Sequence, residues 1–491
     1  MRIYRRQFTL GIISGAAAGI ARALPARPKL LVLVILEQFR QDYLDAAEGQ
    51  FKQGGLRRVL LKGAHFPDCR HLASTFPMST LATLATGAWP AEHGIVADTW
   101  YDAAAKGSVP ASQEVMLATT LVGQLAGDRQ NRSYVIAMDA AQAGLFAGNG
   151  DAQQFWMDES AKFTTLGEPP AWLVEFNRLN PPDNARNAQW MAVDAKTGAP
   201  PMRTLTYDEA NPEQFVELFK ASHLGQMKQF EFLAGLIEKE NLGRGDTFDF
   251  VCLIASSTAR LGYEVGGRSP LMRQMALQLD QQLEYLLGRL KVSPGETGFN
   301  LVLAGAHGAP PAPAASSRAR MAVQGESVAQ AVDRALTAHG LGRVAKYVYP
   351  FLYLDTSGFR DPEPLRQAAG RAAMEHPAVA GYYTAGGYCS TNDGWRERFR
   401  NSFHATRSGD VMLSYKPEYV EEYGQDRGIS YGSLYNYDVR VPLCFFGPQF
   451  GPGIFEAPVR SVDLAPTLAR AMGIPPPSSS DGRVLGEAFG E

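Results

Sequence analysis

Cysteine is scarce in this chain. Four residues in 491, Cys69, Cys252, Cys389 and Cys444, show no C-x-x-C spacing and no histidines at zinc-finger distances. That excludes a thiol redox motif and a cysteine-based structural zinc site. Cys252 and Cys444 lie inside apolar, strand-like runs and read as buried thiols; pairing is not legible from spacing. Charge of one sign is lacking too. With 47 Lys and Arg against 50 Asp and Glu the net charge is −3, and no basic stripe is present, which argues against nucleic acid as a partner. Long hydrophobic runs are missing: the mild stretch Leu10–Ile20 is too short and too rich in Gly and Ala to span a bilayer, and no later segment reads as transmembrane.

What is present at the N-terminus is an address. MRIYRRQFTLGIISGAAAGIARALPA pairs Arg5 with Arg6, follows with Phe8 and the apolar run, and ends on Ala21-Arg22-Ala23, an A-x-A cleavage pattern. Residues 1–26 therefore read as a twin-arginine-type export signal, and the expected location is the bacterial periplasm or outside the cell.

The remainder, 27–491, is 45% hydrophobic over the whole chain and alternates buried-strand patterns with helical ones. Lys29–Leu36 (KLLVLVIL), Ser133–Met138, Phe248–Ala255, Leu301–Ala304 and Val441–Phe446 read as strands. Leu56–Lys62 and Met78–Thr86 read as helices stopped by Gly63 and Gly87, and Leu271–Leu287 carries one apolar helical face. This alternation predicts an α/β fold, a large doubly wound, mostly parallel sheet sandwiched by helices. Between about 150 and 245 Trp, Asn, Pro and charge increase, which predicts an inserted cap. Ala309–Ser317 is a Pro/Ala-rich loop beside His307 and a candidate lid.

Open α/β sheets hold ligands beyond the carboxyl ends of their strands, which directs attention to Glu37, Ser256–Tyr263 and Ala306–His307. In that context FRQDYL after the first strand, TGAWPAEHGIVADTWYD (86–102), NSFHATRSGDVML (401–413), YGSLYNYDVRVPLCFFG (431–447) and VRSVDLAPTLARAMGI (459–474) resemble the alkaline phosphatase superfamily. The similarity is to its secreted type I phosphodiesterase/nucleotide pyrophosphatase-like branch, over nearly the whole mature chain. The resemblance implies an alkaline-phosphatase-like sheet and a two-zinc phosphoryl-transfer site. One zinc would be held by an Asp after the first strand, a Thr or Ser nucleophile at a helix N-terminus and an Asp-His pair. The other would be held by an Asp, a His four residues on and a distant His.

On this sequence those positions fail in turn. The first-strand Asp is Glu37. The D-x-x-G-H stretch reads Ala259-Arg260-Leu261-Gly262-Tyr263, and Asp-His-Gly reads Ala306-His307-Gly308. The distant histidine is Tyr431, the nucleophile position falls on Pro77, and the substrate-binding Lys and Arg fall near Ala141 and Ala143. Only Glu37 and His307 remain as metal donors, so no resident metal is expected. Alanine for aspartate removes carboxylates that are costly to bury without a metal, and tyrosine for histidine fills the space.

The resemblance and its gaps together predict an exported pseudoenzyme that binds an unidentified ligand or protein partner without hydrolysing it. The alternative is a zinc-dependent phosphoric-ester hydrolase, a phosphomonoesterase or nucleotide pyrophosphatase/phosphodiesterase using Thr75 with Glu37 and His307; a third is a purely structural role. Thr75 precedes Phe76-Pro77 and is expected to serve as a helix N-cap. His93 and His404 are expected in turns, His65 and His71 on a strand around Cys69, and Asp438 and Asp463 in solvated or capping roles.

Overall fold

The computed structural model describes residues 27–127, 130–310, 322–391, 393–417, 419–422 and 431–491. Residues 1–26, where an export signal is expected, and residues 311–317 of the Pro/Ala loop lie outside them. The central sheet has ten strands among the described residues; besides the short edge strands Gly453–Ile454 and Val459–Arg460 it holds β1 (Leu30–Leu36), β2 (Ala64–Arg70), β3 (Arg132–Ala137), β4 (Ala152–Met157), β5 (Phe163–Thr165), β6 (Asp249–Ala255), β7 (Phe299–Gly305) and β8 (Arg440–Phe446). In space they run β2-β8-β7-β1-β6-β3-β4-β5. The stretch β7-β1-β6-β3-β4 is parallel. β8 runs antiparallel between β7 and β2, and β5 antiparallel at the far edge. The fold is thus α/β with a large, mostly parallel central sheet flanked by helices.

β1 shows why this sequence makes a central strand. Leu31, Leu33 and Ile35 enter the core on one face, and Leu30, Val32, Val34 and Leu36 the core on the other. Side chains alternate across a pleated strand, so a strand covered on both sides must be apolar throughout. All seven residues have no exposed surface. Each buried aliphatic side chain stabilises by about 1.5–3 kcal/mol.

The helices that position the site are α1 (Pro77–Thr86), α2 (Ala140–Ala147), α3 (Pro212–Lys220), α4 (His223–Lys239), α5 (Ser257–Val265) and α6 (Pro270–Leu290). α1 starts on a proline whose missing N–H costs nothing at the first helical position. It ends at Gly87, whose φ of 69° is a left-handed cap. Of the span from about 150 to 245, β4 and β5 extend the central sheet and α4 packs on its face, while α3 stands at the cleft described below.

A second sheet, which sequence patterning did not reveal, joins Val344–Val348, Phe351–Leu354, Val411–Tyr415 and Val379–Thr384, all antiparallel. The helices Gly325–Ala338 and Glu363–Met374 share its apolar core.

Candidate functional site

The parallel register aligns the strand ends. Leu36 pairs with Ala255 on one side and Gly305 on the other. The backbone continues this beyond the strands: Glu37 N–H donates to Ala255 O at 3.2 Å, and Ala306 N–H to Leu36 O at 2.9 Å. Glu37, Ser256 and Ala306 therefore stand abreast at one sheet edge. Gln38, immediately after, adopts a left-handed φ of 52°, a conformation uncommon outside glycine.

A cleft of about 730 Å³ opens over this edge. Glu37, Pro77, Ala259, Tyr263 and Tyr431 line it. Ala306 and His307 are not among its lining residues; both are fully buried. The His307 ring packs 5.6 Å from that of Tyr431, which in turn lies 6.3 Å from Tyr263. His307 Nδ1 is 2.9 Å from Gly308 O, its Nε2 has no partner among the described residues, and burial lowers its pKa to about 4. It is a neutral imidazole at neutral pH, packed against Tyr431.

Glu37 is 2% exposed. Its Oε2 accepts from Gln142 Nε2 at 2.8 Å, and its Oε1 has no hydrogen-bond partner among the described residues. Burial pushes its pKa up to about 7; Ser256 and Gln142 beside it counter this only in part, and Asp139 and Asp98 add to it. Gln142 comes from α2, the region after β3 where the resemblance places cationic substrate contacts. An amide there supports a carboxyl instead.

Sequence reasoning missed Asp98. It lines the cleft and accepts a 2.9 Å hydrogen bond from Met78 N–H in the first turn of α1, a place where helix ends favour an acidic acceptor. Burial raises its pKa to about 6. Its only sequence signal was membership of the 86–102 motif. The wall is closed by Arg260 on α5, 2.9 Å from both Asp139 and Glu217. That fork ties α5 to the N-terminal side of α2 and to α3.

Thr75 is placed differently from the expectation that it caps α1. The N-cap is Phe76, with no side-chain capping bond. Thr75 is fully buried; its hydroxyl donates to Ser433 O at 3.0 Å and accepts from Gly432 N–H at 3.1 Å. A turn more than 350 residues away competes successfully for the hydroxyl. The residue of this segment that lines the cleft is Pro77.

Asp438 also departs from expectation. It is neither solvated nor a cap: it has no exposed surface, accepts from the Ser433 hydroxyl, and burial raises its pKa to about 7. Asp463 does cap, accepting from Arg460 N–H and Arg483 N–H, each at 2.9 Å. His93 bridges Thr83 and the backbone of Ile95. Among the described residues, no three His, Cys, Asp or Glu side chains are grouped to share a metal ion, and no helix is long and apolar enough to cross a membrane.

The chain is similar over most of its length to known phosphatases. It is 22% identical to alkaline phosphatase PafA of Elizabethkingia meningoseptica, covering 99% of both chains. It is 27% identical to alkaline phosphatase PhoK of a Sphingomonas species, covering 95% of this chain and 92% of that one. The crystal structure of wild-type PafA superposes with a TM-score of 0.82 at 21% identity, over 94% of this chain and 99% of that one. Murine ectonucleotide pyrophosphatase/phosphodiesterase 5, in an inactive form in complex with AMP, superposes with a TM-score of 0.55 at 16% identity, over 91% and 96%. The family model for type I phosphodiesterase/nucleotide pyrophosphatase matches residues 31–427, and the chain belongs to that family.

Proposed function

We propose that this protein is an exported, non-hydrolytic member of its family that keeps the cleft at the strand ends as a binding site. The observation that carries the reading is the cleft's lining. A hydroxyl nucleophile and metal donors are what the chemistry requires there, and the positions hold Pro77, Ala259, Tyr263 and Tyr431. Two zinc ions acting on a phosphoryl group need roughly six protein ligands between them. Glu37 and His307 do not fit that demand, because the histidine is fully buried and does not line the cleft, which leaves one glutamate where about six ligands are needed.

The second reading, a phosphoric-ester hydrolase, is favoured by the family and by the phosphatases among its relatives. It would require Thr75 to abandon both bonds to the 432–433 turn.

Elemental analysis of the mature protein, purified without chelator, separates the two. Less than one equivalent of tightly bound zinc and no hydrolysis of aryl phosphate mono- or diesters are expected. Two bound zincs, together with a robust activity abolished by Thr75→Ala, would overturn the proposal. Cell fractionation of a variant with Arg5→Lys and Arg6→Lys tests the export route: the precursor should stay in the cytoplasm.

A further inference from the structure

We propose that the cleft takes a compact organic ammonium ion, an aryl- or alkylamine, in preference to a phosphate ester. The inference rests on reading the cleft as non-hydrolytic and names the chemistry that would occupy it.

Charge is the first argument. The lining residues include the acids Glu37, Asp98, Asp139, Glu217 and Glu264, against one base, Arg260. Arg260 is already engaged by Asp139 and Glu217, and Glu264 is paired with Arg203 at 2.8 Å. On the floor this leaves Glu37 and Asp98, neither with an ion-pair partner among the described residues. Asp98 is met by a backbone N–H and Glu37 by a neutral amide. A phosphate group entering here would find no uncommitted cation among the lining residues and two carboxyls that repel it when ionised. A cation would favour the ionised form of both carboxyls and be attracted to it, in a site whose low dielectric strengthens the attraction.

Hydrogen bonding is the second, independent argument. Glu37 Oε1 belongs to a side chain 98% buried and has no donor among the described residues. A buried acceptor without a donor is costly, and an N–H of an ammonium ion supplies one. The third argument is the wall. Tyr263 and Tyr431 place two aromatic rings 6.3 Å apart, with Met78 and Leu218 also lining the cleft. Aromatic faces attract cations and accept an attached apolar group. At about 730 Å³ the cleft is of small-molecule size.

Calorimetry on the full-length mature protein with three probes of similar shape tests this: phenethylammonium, 2-phenylethanol and phenyl phosphate. The ammonium should bind at least about tenfold tighter than the alcohol, a difference of about 1.4 kcal/mol, and phenyl phosphate should bind more weakly than either. The double variant Glu37→Gln, Asp98→Asn should erase that margin between the ammonium and the alcohol. Should the variant fold poorly, the three-probe ranking on the unmodified protein decides. Equal binding of ammonium and alcohol, tighter binding of phenyl phosphate, or no binding of any probe overturns the proposal. Phosphate release from phenyl phosphate is followed separately: it would sink the non-hydrolytic reading, while the affinity ranking alone judges the cation.

Discussion

Two buried glutamates, Glu37 at the strand ends and Glu421 beside the second sheet, are 2% and 5% exposed, and burial pushes both to a pKa of about 7. Their surroundings differ. Glu421 Oε2 accepts from the hydroxyls of Tyr415 at 2.7 Å and Tyr347 at 3.0 Å, and its Oε1 from Gly325 N–H at 3.2 Å. Gly325 is required for that approach: a Cβ there would lie 2.0 Å from the Tyr347 hydroxyl oxygen and 2.5 Å from Glu421 Oε1. Glu37 accepts from one neutral amide, and its Oε1 has no hydrogen-bond partner among the described residues, the neighbouring Ser256 hydroxyl donating instead to Gln142 Oε1 at 3.1 Å. A raised pKa by itself therefore does not mark a site. What separates a structural knot from a candidate binding group is whether the protein has already supplied the donors.

The contrast can be broken most forcefully at Glu421. Replacing it by alanine removes the acceptor of two tyrosine hydroxyls, which keep only their 3.0 Å bond to each other, and of a backbone N–H, and should cost about 3 kcal/mol, read by chemical denaturation. A variant within the error of wild type would show that the knot carries no stability.

The same glutamate should impose a pH slope. Its folded pKa is raised from 4.5 to about 7. Its contribution is thus fully present below about pH 4.5 and is lost as the pH rises through 7, a change of up to about 3 kcal/mol. Buried histidines such as His71 and His93, lowered to about 3, tilt the curve oppositely below pH 6.5. The measurement is therefore the difference between wild type and Glu421→Gln across pH 4.5–8. A flat difference would remove Glu421 from the account.

Thr75→Val should cost less, about 1–2 kcal/mol, because it leaves Ser433 O and Gly432 N–H without their hydroxyl. A neutral outcome would mean that the hydroxyl is not engaged and is available to the cleft. The smallest effect is expected for Glu37→Gln. Measured at pH 5, where the wild-type carboxyl is itself largely neutral, the new amide oxygen still accepts from Gln142 and stability should change by about 1 kcal/mol or less; a loss as large as that of Glu421→Ala would make Glu37 a structural group and remove the distinction drawn between the two.

The sequence by itself determined the elements whose residues need no distant information. Leu30–Leu36, a short apolar run after Pro28, reads as a strand covered on both faces and is one, and the α1 pattern from Met78 to Gly87 carries its own start and stop. It also determined, through motifs spread along the chain, which family the fold belongs to. Tertiary structure alone decided where polar groups find partners. Thr75 looked like a local cap and is claimed by Ser433, 358 residues away. Asp438 looked solvated and is buried, and Asp98 acquired its place only when α1 met the strand ends. β4 and β5, inside a stretch whose texture suggested a cap, became sheet because β3 offered an edge to β4. Apolar periodicity is local and survives in a linear reading. Hydrogen bonds of buried side chains are settled by whichever donor or acceptor the fold brings within about 3 Å, and sequence distance says nothing about that.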